Sequence, residues 1–443
     1  MEALRVEEGA DLGSAHRCAG LRTGMEAARV EEGRIWGSAH RCAGPSAGSE
    51  APRCEEGGGS GTRPPAPVAT ECQSAVSRLA RRSPSALLQG MNFASDNWAG
   101  ASPKIIEALT AGNGGLAPAY GQDELTREAV ARLSVLFGRD VGVFTAATGT
   151  AANSLALAAL CPPYGAVYAH EEAHIVADEG GAPEFITQGA RLVGIAGIGG
   201  KIDPARFEAV AARAPAGRLP VPAALSLTQA TECGTVYRPE EVRALAARAR
   251  ERGLKVHMDG ARFPNAVAFL KQESPGLAPA DITWKAGVDA LSFGLTKTGA
   301  LMAEVVVLFD PEKAAEIEWR RKRSGQIISK ARQIAVQIIA MLEDDHWLEL
   351  AGHANAMARL LEQGLRAAGH EIAFAVEANE VMAILPRTLI ERLRQAGGRF
   401  YEWPTGSLAP ERRPGPDADL VRLVTSFITR PEEVEAFVRQ ASA

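Results

Sequence analysis

No stretch of this 443-residue sequence approaches the roughly 18–20 consecutive apolar residues of a membrane-spanning helix, which sets integral helical membrane proteins aside. Charge of one sign is not in excess either. Lys and Arg number 48 against 53 Asp and Glu, a net of −5, so neither nucleic acid nor an anionic membrane surface is an expected partner. The amino terminus, MEALRVEEGAD, carries acids where a secretion signal needs basic residues and then an apolar run. Cysteine is sparse: of six, Cys18, Cys42, Cys54 and Cys72 lie near the start and only Cys161 and Cys233 remain, so no disulfide framework is visible. These absences predict a soluble, cytoplasmic protein. What is present, 46% hydrophobic and 23% charged residues, suffices for a sizeable core, and the length predicts two or three domains.

Residues 1–90 differ from the rest. MEALRVEEGADLGSAHRCAG at the start aligns without gaps with MEAARVEEGRIWGSAHRCAG from Met25, and two 24-residue units are too few to bury a repeat core. EEGGGSGTRPPAPVAT then reads as a linker by composition. The segment has no lysine at all; the first is Lys104. His16-x-Cys18 and His40-x-Cys42 could form a zinc site, but one-residue spacing fits structural zinc poorly. The expectation is a disordered or non-native extension without chemistry, with a possible true start at Met91.

From Met91 onward, strand and helix signals alternate. VGVFTA, AVYAH, ARLVGIAG, AALSLTQ, LKVHMDG, DALSFGL and AEVVVLF are short apolar, β-rich runs, and amphipathic helices such as PEEVRALAARARERG lie between several of them. That order predicts an α/β fold, a mostly parallel sheet covered by helices over residues 91–335. Long helices after about residue 335, then EIAFAVEANEVMAILP, RTLIERLRQAG and LVRLVTSF, predict a smaller α/β domain over 336–443. In such sheets ligands bind beyond the carboxyl ends of the strands, so the residues there are the candidates.

Thr148-Gly149-Thr150 follows the first strong strand and opens a helix, an arrangement able to cradle a phosphate. It is not a Walker loop, since no Gly-Lys-Ser/Thr follows, and Gly197-Ile198-Gly199-Gly200 fails as a dinucleotide fingerprint because Ile202 stands where a third glycine is needed. The strand LKVHMD ends in Asp259, with Arg262 three residues on; taken alone these read as a structural ion pair. Lys297 lies just past a later strand among Thr296, Thr298 and Gly299. Only nine lysines occur in the whole chain. Partial desolvation there would free its amine for bonding to a carbonyl.

Asp259 and Lys297 at strand ends, after a Gly-Thr turn, resemble the layout of fold-type I pyridoxal-phosphate enzymes. SDNWAGASPKI, APAYGQDELT, ATGTAAN, HEEAHIVADEGG, HMDGARFPNA and VRLVTSF sharpen the likeness, and together they look like the low-specificity L-threonine aldolases of the β-eliminating-lyase superfamily. The resemblance runs from Met91 to the carboxyl end. It implies a fold-type I transferase-like architecture, pyridoxal 5'-phosphate as cofactor, and retro-aldol cleavage of L-threonine or L-allo-threonine to glycine and an aldehyde. It further implies that Lys297 carries the cofactor, Asp259 pairs with the pyridine nitrogen, Gly149 and Thr150 hold the phosphate, and His174 stacks on the ring. Arg422, assisted by Ser95 and Arg262, would bind the substrate carboxylate, with Tyr120 a further substrate contact and His174, or a water it positions, the base. A homodimer or homotetramer is implied as well.

His170-Glu171-Glu172-Ala173-His174 also matches the zinc motif H-E-x-x-H, but Ala177 and Gly180 stand where a metzincin needs Gly and His, and His170 closes a strand. A zinc hydrolase is therefore the rival from another class, and the expectation is no metal. Within the cofactor class the rival is a β-eliminating lyase on serine or cysteine derivatives, which differs only in the leaving group; a catalytically silent fold is opposed by the retained lysine. Departures from the family pattern are Gln229-Ala230-Thr231-Glu232, where other branches carry Asn-Thr-His, and Arg321-Lys322-Arg323-Ser324-Gly325-Gln326 with Ser329-Lys330 later, where one branch carries R-K-x-x-G-G and a following Arg-Gln. These leave the choice of β-hydroxy amino acid open.

Overall fold

The structure, a computed structural model, describes residues 90–212 and 220–442. The amino-terminal repeat and the candidate zinc ligands His16, Cys18, His40 and Cys42 lie outside the described residues. So does the extension as far as residue 89.

Seven strands form the larger sheet: β1 (Gly142–Ala146), β2 (Gly165–His170), β3 (Arg191–Ile195), β4 (Val221–Thr228), β5 (Lys255–Gly260), β6 (Ala290–Gly294) and β7 (Glu304–Leu308), in the order β1-β7-β6-β5-β4-β2-β3. The pairs from β6 through β3 are parallel, whereas β7 runs antiparallel to both β1 and β6. Residues of β2 and β7 are buried at every position, which is why both read as continuous apolar runs and not as alternation. The covering helices follow from their patterns. Helix Pro239–Glu251 buries Val242, Leu245, Ala246 and Ala249 on one stripe, with Glu240 and Glu241 in its first turn and Arg248 and Arg250 in its last, as the helix dipole favours. Helix Gly149–Leu160 is built of small and apolar residues, eight of them buried, and Thr148 caps it by accepting from the Ala151 N–H.

Phe137, Phe263, Phe293 and Trp347 join in an aromatic cluster beside this sheet, with Phe293 and Trp347 edge to face at 5.6 Å. Burial of each such side chain contributes on the order of 2–3 kcal/mol. Trp347 comes from helix His346–Ala367, which starts seven residues earlier than the run HANAMARLLEQ suggests, because the left-handed Asp345 turns the chain directly into it.

A second sheet is antiparallel, in the order β10-β11-β9-β8, from β8 (Glu371–Ile372), β9 (Glu380–Pro386), β10 (Tyr401–Glu402) and β11 (Ala418–Val424). The run EIAFAVEANEVMAILP thus supplies two strands. Met91 and Phe93 pack in the core of this sheet, Phe93 against Phe437 at 5.1 Å, and Asn92 bridges Arg399. Among the described residues, no helix is long and apolar enough to cross a membrane.

Candidate active site

Parallel strands β4, β5 and β6 all end at one edge of the larger sheet, and β7 starts there. Asp259 stands next to last in β5 and is 2% exposed. Its Oδ1 accepts from the Ala261 N–H at 3.0 Å and its Oδ2 from the Asn153 side-chain amide at 2.8 Å. Lys297 lies in the short turn between β6 and β7, half-buried. Hydrogen bonds from the Leu295 N–H to the Ala303 carbonyl and from the Ala300 N–H to the Leu295 carbonyl close the turn, both at 3.1 Å. Across the edge, Gly149 and Thr150 open their helix, and their N–H groups make no hydrogen bond among the described residues, as expected of a helix start.

The Asn153 amide also donates to Glu179 Oε1 at 2.9 Å, and the same oxygen meets His174 Nδ1 at 2.9 Å. A continuous chain therefore runs His174–Glu179–Asn153–Asp259. The hydrogen bond from Glu179 raises the pKa of His174 above its ordinary value, against the opposing effect of burial. Glu304, the first residue of β7, reaches the same edge. Burial pushes its carboxyl up to about 7 against hydrogen bonding from Thr296 and the nearby Lys297 charge.

A second group of charges adjoins the first. Arg262 does not pair with Asp259; its Nε and Nη2 fork onto Asp96 at 2.8 and 3.1 Å, and Asn379 donates to Asp96 as well. The ion pair expected of Asp259 and Arg262 taken alone is therefore replaced, because Asp96 brings a carboxylate from 166 residues away. Burial pushes the Asp96 pKa up, but the Arg262 guanidinium and Lys297 outweigh it and hold it below the usual range. Arg422, on β11, lies over Trp403 with its guanidinium carbon 3.9 Å from the ring centre. Between the two arginines sits Glu380, its Oε1 3.4 Å from Arg262 Nη1 and 3.6 Å from Arg422 Nη1. Ser95 caps the turn Asp96–Trp98 by accepting from the Asn97 N–H.

Glu179 and Asn153 thus join His174 to Asp259, Glu380 lies between Arg262 and Arg422, and the charge of Lys297 acts on Asp96, His174 and Glu304, at the edge where Gly149 and Thr150 open their helix. Tyr120 does not join them. It is exposed, in the left-handed region, and lines a groove of about 430 Å³ with Gln122, Phe144, Glu318 and Arg321. The rival motif is broken: His170 ends β2, whereas His174 opens the separate helix His174–Ala177, so the two histidines do not share one helix face. Sequence reasoning passed over Asn153, Glu304, Glu380 and Trp403. Two left a signal: Asn153 is a polar residue within an almost wholly apolar helix, and Glu380 opens the apolar strand EVMAILP.

The edge fits pyridoxal phosphate. A Cβ built on Gly149 would meet nothing nearer than Glu304 Oε2 at 4.0 Å, so the hydrogen of glycine leaves open space at two unused N–H groups, suited to a phosphate. Asp259 is a buried carboxylate held by two donors, as a pyridinium partner must be, and the His174 side chain is 37% exposed and turned to the site by Glu179. A mostly parallel sheet with an acid ending one strand and a lysine in the turn after the next defines the fold-type I class of pyridoxal-phosphate enzymes.

The beta-eliminating lyase family profile matches residues 92–387. A low specificity L-threonine aldolase of a Pseudomonas species is 44% identical over 314 residues, covering 71% of this chain and 89% of its own length. Another of the same description from Pseudomonas aeruginosa is 46% identical over 310 residues, covering 70% and 88%. Among solved structures, a Leishmania major threonine aldolase superposes with a TM-score of 0.72 at 27% identity, covering 79% of this chain and 98% of its own. The chain belongs to the beta-eliminating lyase family, and it is an enzyme.

Proposed function

We propose that this protein is a low-specificity L-threonine aldolase, a carbon–carbon lyase that cleaves L-threonine, L-allo-threonine and related β-hydroxy-α-amino acids to glycine and an aldehyde. The observation that carries the reading is the convergence of Lys297, Asp259 and the Gly149 cradle on one sheet edge, beside the bridge from Asp259 to His174. Pyridoxal 5'-phosphate is the cofactor and supplies an electron sink for the charge left on Cα when the Cα–Cβ bond breaks. Lys297 would hold it covalently, Asp259 would pair with its ring nitrogen, Gly149 and Thr150 would bind its phosphate, and His174 would cover its ring.

Arg422, with Arg262 and Ser95, binds the substrate carboxylate and so orients the bonds at Cα. Because the fork of Arg262 is already engaged by Asp96, its share is that of a fixed charge, and Arg422 is the group with donors to spare. His174 takes the β-hydroxyl proton. Glu179, hydrogen-bonded at its Nδ1, stabilises the charge it gains, and the same contact raises its pKa. Exposed apolar side chains, among them Tyr120, Trp319 and Leu301, support a homodimer or homotetramer, with Tyr120 serving a site completed on assembly. Cys161 and Cys233 are free thiols, in keeping with the cytoplasm.

The test is acetaldehyde release from L-threonine by the full chain supplied with the cofactor, coupled to a reductase, beside a Lys297→Ala variant. Release that vanishes in the variant supports the reading. Pyruvate from serine in place of acetaldehyde from threonine would replace it with β-elimination.

A further inference from the structure

Glu380 is a carboxyl group with no access to solvent and two arginines against it, yet neither of its oxygens makes a hydrogen bond of good geometry. The backbone places it firmly. Gly234, at φ 75°, brings the turn 231–234 so close that a Cβ there would stand 2.6 Å from the Glu380 carbonyl oxygen, and Glu380 pairs with Val424 at the end of β11. The groups that face it are Arg262 after β5, Arg422 on β11, Asp96 from the amino-terminal turn, and Glu232 and Cys233 from the turn after β4. Two guanidiniums therefore answer three carboxyl groups. With all three ionised, the carboxylates would outnumber the two arginines, leaving Lys297, which acts on Asp96, as the remaining balancing charge. A carboxylate ligand seated on Arg422 adds one more negative charge to a place whose arginines are already outnumbered.

We infer that Glu380 is a positioning residue that takes up a proton when the site binds a carboxylate, so that the arginines pass from an internal acid to the acid of the ligand. The inference rests on reading Arg422 and Arg262 as the carboxylate seat. Burial pushes Glu380 up to about 7 in the free protein, against the two arginines, so the group is poised where a small added charge shifts its proton. The ligand's charge raises that value further. Between the free and bound values, the complex holds more protons than the free protein, so affinity falls as pH rises through about 7.

The probe is 3-hydroxybutyrate, which keeps a carboxylate and a β-hydroxyl but has no amine to react with the cofactor and does not itself titrate between pH 6 and 8. Binding to the holoenzyme is followed by calorimetry at pH 6, 7 and 8 in two buffers of different protonation enthalpy. Because His174 is a second titratable group of the site, its pKa raised by Glu179, Glu380→Gln is run beside the wild type. The expected result is proton uptake in the wild type and a dissociation constant that rises by about tenfold more from pH 6 to 8 than in the variant.

Equal pH slopes in the two proteins, a uniform weakening of the variant at every pH, or no binding of the probe would each overturn the inference. Were the variant not to fold, absence of proton uptake by the wild type alone would do so. Acetaldehyde release from threonine, measured on the same preparations, decides the aldolase reading separately.

Discussion

Replacing Asn153 by alanine should reach the site through the bridge it forms. Its amide donates to two carboxylates, Asp259 at 2.8 Å and Glu179 at 2.9 Å, both buried and both unable to recruit bulk water in its place. A hydrogen bond to a charged group is worth about 1.5–3 kcal/mol. The lower figure applies to each, since Asp259 keeps the Ala261 N–H and Glu179 keeps His174. The two together come to about 3 kcal/mol. For a protein of this size, at about 2 °C per kcal/mol, that lowers Tm by about 6 °C. Cofactor affinity should fall with it, because the Asp259 carboxylate is no longer held in one orientation. Thermal unfolding by circular dichroism and cofactor titration by absorbance measure the two effects. A variant within 1 °C of wild type in Tm and equal to it in cofactor affinity, on the order of experimental error, would refute the argument that the bridge organises Asp259.

Other expectations follow from the same geometry. Gly149→Ala should leave Tm unchanged, since its new methyl meets only Glu304 at 4.0 Å, yet weaken cofactor binding by about tenfold by filling the phosphate cradle; equal weakening of both would contradict it. Glu179→Gln should let the His174 pKa fall back toward 6.5, so the acid limb of the activity profile moves to lower pH. The stability that His174 draws from Glu179 is fully present below pH 6.5 and lost as pH rises through the raised value, so the variant's stability deficit should shrink in that direction in urea titrations. Gly234→Ala, at φ 75° with its Cβ 2.6 Å from the Glu380 carbonyl, should destabilise by about 1–3 kcal/mol from strain alone, read as a lower urea midpoint.

The alternating order of the larger sheet was legible because β2, β4 and β7 are buried and read as plain apolar runs; the antiparallel sense of β7 was not, since apolar runs carry no direction. Asp259 and Lys297 could be found because each stands at a strand end. Arg262 was misread on local grounds: Asp259 is three residues away in sequence, but its true partner Asp96 is set by tertiary packing that no spacing reveals. Glu380 and Trp403 escaped for the same reason, since their meaning depends on Arg262 and Arg422 arriving from other strands. Tyr120 was drawn from a resembling motif, and it lines a groove with Gln122, Phe144, Glu318 and Arg321.

The segment 91–96 packs against the carboxyl-terminal sheet while delivering Asp96 to Arg262. The Arg399 N–H donates to the Met91 carbonyl, the Phe93 N–H to the Arg399 carbonyl and the Val424 N–H to the Phe93 carbonyl, and Asn379 reaches Asp96 across 283 residues. A growing chain on the ribosome makes this segment about 280–330 residues before its neighbours Asn379, Arg399 and Val424. Closing so long a loop is among the slowest and most entropically demanding contacts in a fold. Asp96 is therefore not held against Arg262 until β9 and β11 have been made, and chains truncated before Val424 should hold the large sheet without a finished carboxylate seat.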